Sequence, residues 1–234
     1  MVVAELEVFT SRPIAPTRRV ALGSCVLPVD PAPGFGSILL GGIVARFAPT
    51  LDEDMLDEVE SLILELERGQ RIAQPRLRHR LQSDRIGLQR AEHRLLGDGD
   101  AVVFDIDEVR GTPAQHLLCA VYAAGRTPEH VRPAVLGAVR KGLLWTGPID
   151  RHLVAHLAGR VGHVNLATIG DPVTWALGVL DLTRIDDDDL PDRRIVQVAF
   201  RDRVRSAHPD HGGAEAGAAE RIAELTEARR ILLG

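Results

Sequence analysis

The sequence predicts an α+β chain, on three observations. Two apolar, β-prone segments, Arg19 to Val29 and Ser37 to Phe47, flank the turn-rich run Pro31-Ala32-Pro33-Gly34-Phe35-Gly36, which is the pattern of a β-hairpin. From Asp52 onward, successive segments carry apolar residues at helix spacing. At the C-terminal end, two apolar stripes of that same period are interrupted by a corner rich in proline and glycine.

After a short lead-in and the hairpin, Asp52 to Glu67 reads as a helix, with Met55, Leu56, Val59, Leu62, Ile63 and Leu66 along one side. Asp52, Glu53 and Asp54 complement the positive end of its dipole. Pro75 to Leu96 reads as a second helix, with Leu77, Leu81, Leu88 and Leu95 on one side. Ala101 to Ile106 reads as a buried strand. Pro113 to Ala124, Pro128 to Gly142 and Asp150 to Ala158 are expected helices, the first two opened by a proline that the first turn tolerates. Gly162, Gly170 and Pro172 then interrupt the periodicity. Two domains are therefore expected: an α+β domain over residues 1–162 and an all-α domain over residues 171–234.

Composition bounds the function. With 234 residues and 45% apolar content, the chain can bury a core and is not expected to be disordered. A formal charge of −5 carries no global signal for nucleic acid or acidic membranes. Lys141 is the only lysine among 28 basic residues, a bias expected of a GC-rich genome. Cys25 and Cys119 form no Cys-x-x-Cys pair, so neither a zinc site nor a disulfide-stapled fold is expected. No signal peptide or membrane span is legible, and the expected location is the cytoplasm.

The C-terminal domain is the most informative part. Thr174 to Leu182 is a short apolar helix candidate, followed by the acidic run Asp186 to Asp189. Leu190-Pro191 then opens a longer one. At 100° per residue, Val196, Ala199, Phe200, Val204 and Ala207 share one face, and Arg194, Arg201 and Arg205 share the opposite one. That helix must stop near Ala207, because His208-Pro209-Asp210 follows and the residue before a proline disfavours the α conformation. His211-Gly212-Gly213 continues the corner. Helix resumes near Ala218, with Ile222, Leu225, Ala228 and Leu232 in a stripe. Two stripes joined by a compact loop should pack as an antiparallel helical hairpin, its loop exposed beside the cationic face.

A short helix, a basic helix, a His-Pro-Asp loop and a third helix together resemble the J-domain of the DnaJ family. Ala199, Phe200 and Arg201 match it upstream of the loop, and Ile222, Leu225, Glu227, Ala228 and Leu232 match its third helix. The tripeptide alone arises by chance in roughly one chain in a hundred, so the weight rests on the flanking helices. Arg203 departs from the family, standing on the apolar stripe where leucine is usual. Asp202 departs too, at a position often basic.

The resemblance implies a co-chaperone, not an enzyme, that stimulates ATP hydrolysis by a DnaK-type heat-shock chaperone. It implies no cofactor and no metal. His208, Pro209 and Asp210 would make the specific contacts, and Arg194, Arg201 and Arg205 the electrostatic approach. Residues 1–162 would select a client or a location; neither a membrane nor nucleic acid is the expected partner.

Two alternatives rest on other residues. Arg71 to Arg94 carries seven arginines against Asp84 and Glu92, a candidate for phosphate backbones. The preceding segment, Asp52 to Glu67, has eight acids and no base, so pairing between the two is the simpler expectation. Val102 to Val109, with Asp105 and Asp107, resembles the first motif of haloacid-dehalogenase-like, magnesium-dependent phosphatases. Lys141 and Asp171 would have to serve its later motifs, but Trp175 stands where a second acid is expected. His152 and His156, four apart with His163 downstream, lack the glutamate of a His-Glu-x-x-His zinc motif.

Overall fold

A computed structural model describes the chain except for residues 13, 15, 16, 31, 32, 71, 99, 100, 160–168, 184–189, 208–217 and 234. The fold class is α+β: a five-stranded sheet accompanied, among the described residues, by eight α-helices. The chain divides into two compact units, Met1–Ala158 and Gly159–Gly234.

The first unit holds the sheet. Its strands are β1 (Val2–Thr10), β2 (Arg18–Val26), β3 (His79–Leu81), β4 (Gln89–Asp98) and β5 (Ala101–Ile106), in the spatial order β3-β2-β1-β4-β5. All neighbours run antiparallel except β2 and β3. Alternation sets the two faces of the sheet. Ala4, Leu6, Val8 and Thr10 on β1 and Ala91, His93 and Leu95 on β4 are buried. Between them, Glu5 and Glu7 on β1 meet Arg90, Glu92 and Arg94 on the other face. Glu5 lies directly across from Arg94, and their side chains pair at 3.0 Å; such cross-strand ion pairs help to hold register.

Helices α1 (Gly34–Phe47), α3 (Pro113–Gly125) and α5 (Arg151–Ala158) pack on the sheet, α4 (Arg132–Leu143) packs on α1, and α2 (Glu53–Glu67) packs on α3 and α4. Asp52 caps α2 by accepting a hydrogen bond from the Met55 amide at 2.8 Å. Asp52→Ala should therefore cost about 1 kcal/mol, read from the urea midpoint. Thr112 and Gln115 form a reciprocal capping box at the start of α3.

The structure corrects the sequence reading at four places. Ser37–Phe47 is not a strand but most of α1, which is buried nearly all round; only Phe35 and Arg46 are not fully enclosed. A helix packed on both sides has no polar face and so lacks a helical signature. The true partner of β2 is β1, which the reading passed over as lead-in. Pro75 to Leu96 is not a helix: it contains β3 and most of β4. Finally, β5 is a strand as expected but not a buried one, since Ala101, Val103 and Asp105 are exposed. A smaller shift occurs at α4, which starts at Arg132 after a turn in which the Pro128 carbonyl accepts from Val131 and Arg132.

The second unit contains α6 (Pro172–Leu180), α7 (Arg193–Ala207) and α8 (Ala218–Leu233). Ala176, Leu177, Val179 and Leu180 of α6, Val196 of α7, and Leu225, Ala228 and Leu232 of α8 form one core. Among the described residues no helix is long and apolar enough to cross a membrane.

Candidate functional site

The expected docking surface centres on α7, whose two faces are unequal. Val196 is fully buried, while Ala199, Phe200, Val204 and Ala207 pack half-buried around the shared core. Arg194, Arg201 and Arg205 are exposed on the other side. Arg201 donates to the Gln197 carbonyl of its own helix at 3.2 Å, and Arg205 lies 4.0 Å from Asp202. Both guanidinium groups remain open to solvent. His208, Pro209 and Asp210 lie outside the described residues, within the segment that joins α7 to α8.

Arg203, the cation on the apolar stripe, has a partner. Its guanidinium pairs with the carboxylate of Asp181, the C-terminal cap of α6, which sits in the left-handed region at φ 56°. This pair ties the end of α6 to α7 and lets a charged side chain occupy the place of an apolar one. Phe200 is covered by the Arg229 guanidinium of α8, 5.0 Å from the ring centroid. Asp171 accepts from the Thr174 amide at 3.0 Å and so caps α6. Asp202 is exposed, so the second departure from the family lies on the surface.

Candidate residues of the first unit have other occupations. Asp107 accepts from the backbone amides of Val109 and Arg110, at 2.9 and 3.3 Å, and faces the Arg110 guanidinium at 3.3 Å. Asp105 is exposed on the edge strand β5. Lys141 donates to the Leu157 carbonyl at 3.4 Å. Of the arginines from 71 to 94, Arg76 pairs with Glu65 at 3.3 Å, Arg90 with Glu7, and Arg94 with Glu5 and Glu92. His152 and His156 are exposed on α5, and the His156 ring lies 5.0 Å from that of Trp145; His163 is outside the described residues. No cluster of metal-ligating side chains occurs among the described residues.

The sequence reading missed a buried histidine pair. His93 of β4 and His116 of α3 are 0% and 1% exposed, and His93 Nε2 lies 3.0 Å from His116 Nδ1. Phe47 stacks on His116 with ring centroids 4.8 Å apart. His116 Nε2 faces the Arg110 carbonyl, which can only accept, so Nε2 carries the proton. His116 Nδ1 is then an acceptor, and His93 Nε2 must donate to it. His93 Nδ1 is left as a buried acceptor without a partner among the described residues. Burial holds both rings neutral, pushing His93 down to about 3 and His116 below its usual value. Alternation along β4 places His93 on the inner face, the one signal that could have located it.

No family model, curated protein or solved structure matches this chain.

Proposed function

We propose that the chain is a DnaJ-like co-chaperone whose second unit engages a DnaK-type ATP-driven chaperone. The supporting observation is α7: an amphipathic helix packed on α6 and α8 that leaves Arg194, Arg201 and Arg205 exposed on its outer side, directly ahead of His208-Pro209-Asp210 in the sequence. In this reading the chemistry belongs to the partner. The co-chaperone binds the ATP state of the chaperone and shifts its balance toward the hydrolysing, substrate-trapping conformation. The arginines speed the encounter with an acidic surface, while the loop supplies specific contacts. The shared apolar core joins α6 to α7, and Asp181 gives Arg203 a partner at its margin, so the departure at Arg203 is compatible with a firm docking helix.

Single-turnover ATP hydrolysis by the chaperone of the same organism tests this reading. The purified chain should accelerate it. His208→Gln should remove the acceleration without loss of helical content. Arg201→Glu should weaken it most at low salt, because an exposed charge acts through a screened, long-range encounter. Stimulation that survives His208→Gln unchanged would sink the assignment of the loop, and no stimulation by the wild-type chain would sink the function.

A further inference from the structure

We infer that the charged face of the sheet, from Phe9 across to the β3 edge, binds single-stranded nucleic acid, with phosphates on Arg19, Arg78 and Arg80 and a base stacked on the Phe9 ring. The inference stands independently of the helical unit. It starts from the arginine-rich segment, which the fold splits in two. Arg76, Arg90 and Arg94 are taken up by glutamates. Arg78 and Arg80 are exposed, and among the described residues neither has an acidic partner. They meet the start of β2, whose arginines make no ion pair among the described residues either: Arg19 lies directly across from Arg80, and the Arg18 amide donates to the Arg78 carbonyl at 2.9 Å. Like charges opposite one another on neighbouring strands are unfavourable, and here, unlike on β1 and β4, no glutamate relieves them. Asp84, close along the chain, accepts from the Ile86 amide at 3.0 Å. Arg78 is also held in the left-handed region at φ 59°, which non-glycine residues seldom adopt. The net charge of −5 hides this patch, because acids such as those exposed on α2 are counted with it.

The ring selects the anion. Phe9 lies across from Ala21, two residues on from Arg19, so alternation puts Phe9, Arg19 and Arg80 on one face. Phe9 is half-buried, and the Arg85 guanidinium lies over it, 4.8 Å from the ring centroid. The Arg85 side chain is 48% exposed, and the acid it approaches, Glu7 at 3.8 Å, is already held by Arg90 and the Ser24 amide. That guanidinium occupies the place a flat base would take, and it is free to turn to a phosphate when one arrives. An acidic peptide would satisfy the arginines but leave the ring unused. A duplex keeps its bases paired, and a five-stranded sheet is too broad for a groove that admits a helix or a two-stranded ribbon. A single strand serves ring and cations together.

Fluorescence anisotropy with the full chain tests this, using labelled short oligouridine and oligothymidine, with a duplex and polyglutamate as competitors. Both single strands should bind, the tighter of the two naming RNA or DNA as the source, and both competitors should displace them poorly. With three phosphates engaged, affinity should fall about 20-fold between about 50 and 200 mM salt. Arg78→Glu combined with Arg80→Glu should lower affinity at least ~10-fold and flatten that salt dependence. Phe9→Leu should lower it about 5–10-fold with the salt dependence unchanged, while Phe9→Tyr, which keeps the ring, should bind as the wild type does. The arginine pair is exposed, so its variant tests the site even where Phe9→Leu fails to fold by circular dichroism. No binding of either single strand, equal binding of polyglutamate or duplex, or affinity unmoved by the arginine pair or by a folded Phe9→Leu overturns the proposal.

Discussion

Gly142→Ala should destabilise the first unit by about 2–3 kcal/mol, whereas Gly137→Ala on the same helix should stabilise it by about 0.5–1 kcal/mol. Both residues lie in α4, where alanine is the better helix former by about 1 kcal/mol. The difference is what a new Cβ would meet. At Gly142 it would sit 2.2 Å from the Gly41 carbonyl oxygen and 2.9 Å from its carbon. These are backbone atoms of α1, and α1 cannot retreat because the sheet backs it on its far side. Gly41 is equally tight, its own added Cβ falling 2.9 Å from the Ala138 carbonyl oxygen. The two helices therefore cross backbone to backbone. At Gly137 a Cβ finds nothing within 4 Å, leaving only the gain in helix propensity. Urea unfolding of the two variants should move the midpoint in opposite directions. A shift of the same sign for both would show that the close crossing does not limit stability.

That crossing also marks where sequence reading reaches its limit. Helix α2 was legible because Asp52 caps it and only one side is buried, so its apolar residues recur at helix spacing. Helix α1 was not, because α4 and the sheet bury opposite sides of it and leave a continuous apolar run. A run such as Ser37 to Phe47 has no period, and periodicity alone cannot distinguish a buried strand from a buried helix. In β4 the difficulty was reversed. Ala91, His93 and Leu95 alternate with Arg90, Glu92 and Arg94, a strand pattern hidden because the inward residue at its middle is a histidine. The outward arginines were legible as charges, but their partners Glu5 and Glu7 lie more than eighty residues away. On α7, helical spacing alone placed Arg194, Arg201 and Arg205 outside and Val196 inside. It could not place Arg203, whose accommodation depends on Asp181 at the end of a different helix.

The first unit should lose about 2 kcal/mol of stability between pH 7 and pH 5 through His93. In the unfolded chain this imidazole titrates near the ordinary value of 6.5, but folded it titrates at about 3. Between those values the unfolded chain binds a proton that the folded chain refuses, so stability falls as pH falls. The loss begins near pH 6.5 and continues toward pH 3. Its cause is first burial against Phe47 and His116, then charge repulsion once His116 is itself protonated; Asp107 opposes this only in part. His116 and His79, both held below their usual values mainly by burial, add loss of the same sign. The lowered carboxylates Glu7 and Glu108 do not mimic it, because their contribution disappears only below the ordinary carboxylate value of 4.5. His93→Gln keeps a donor for His116 Nδ1 but cannot titrate, so it should flatten the pH 7 to 5 slope by about one proton's worth while His79 and His116 retain theirs. Stability measured by urea unfolding at half-unit pH steps would decide the matter. A wild-type curve that is level from pH 7 to 5, or a slope unchanged in His93→Gln, would mean that His93 is not the buried neutral acceptor its geometry requires.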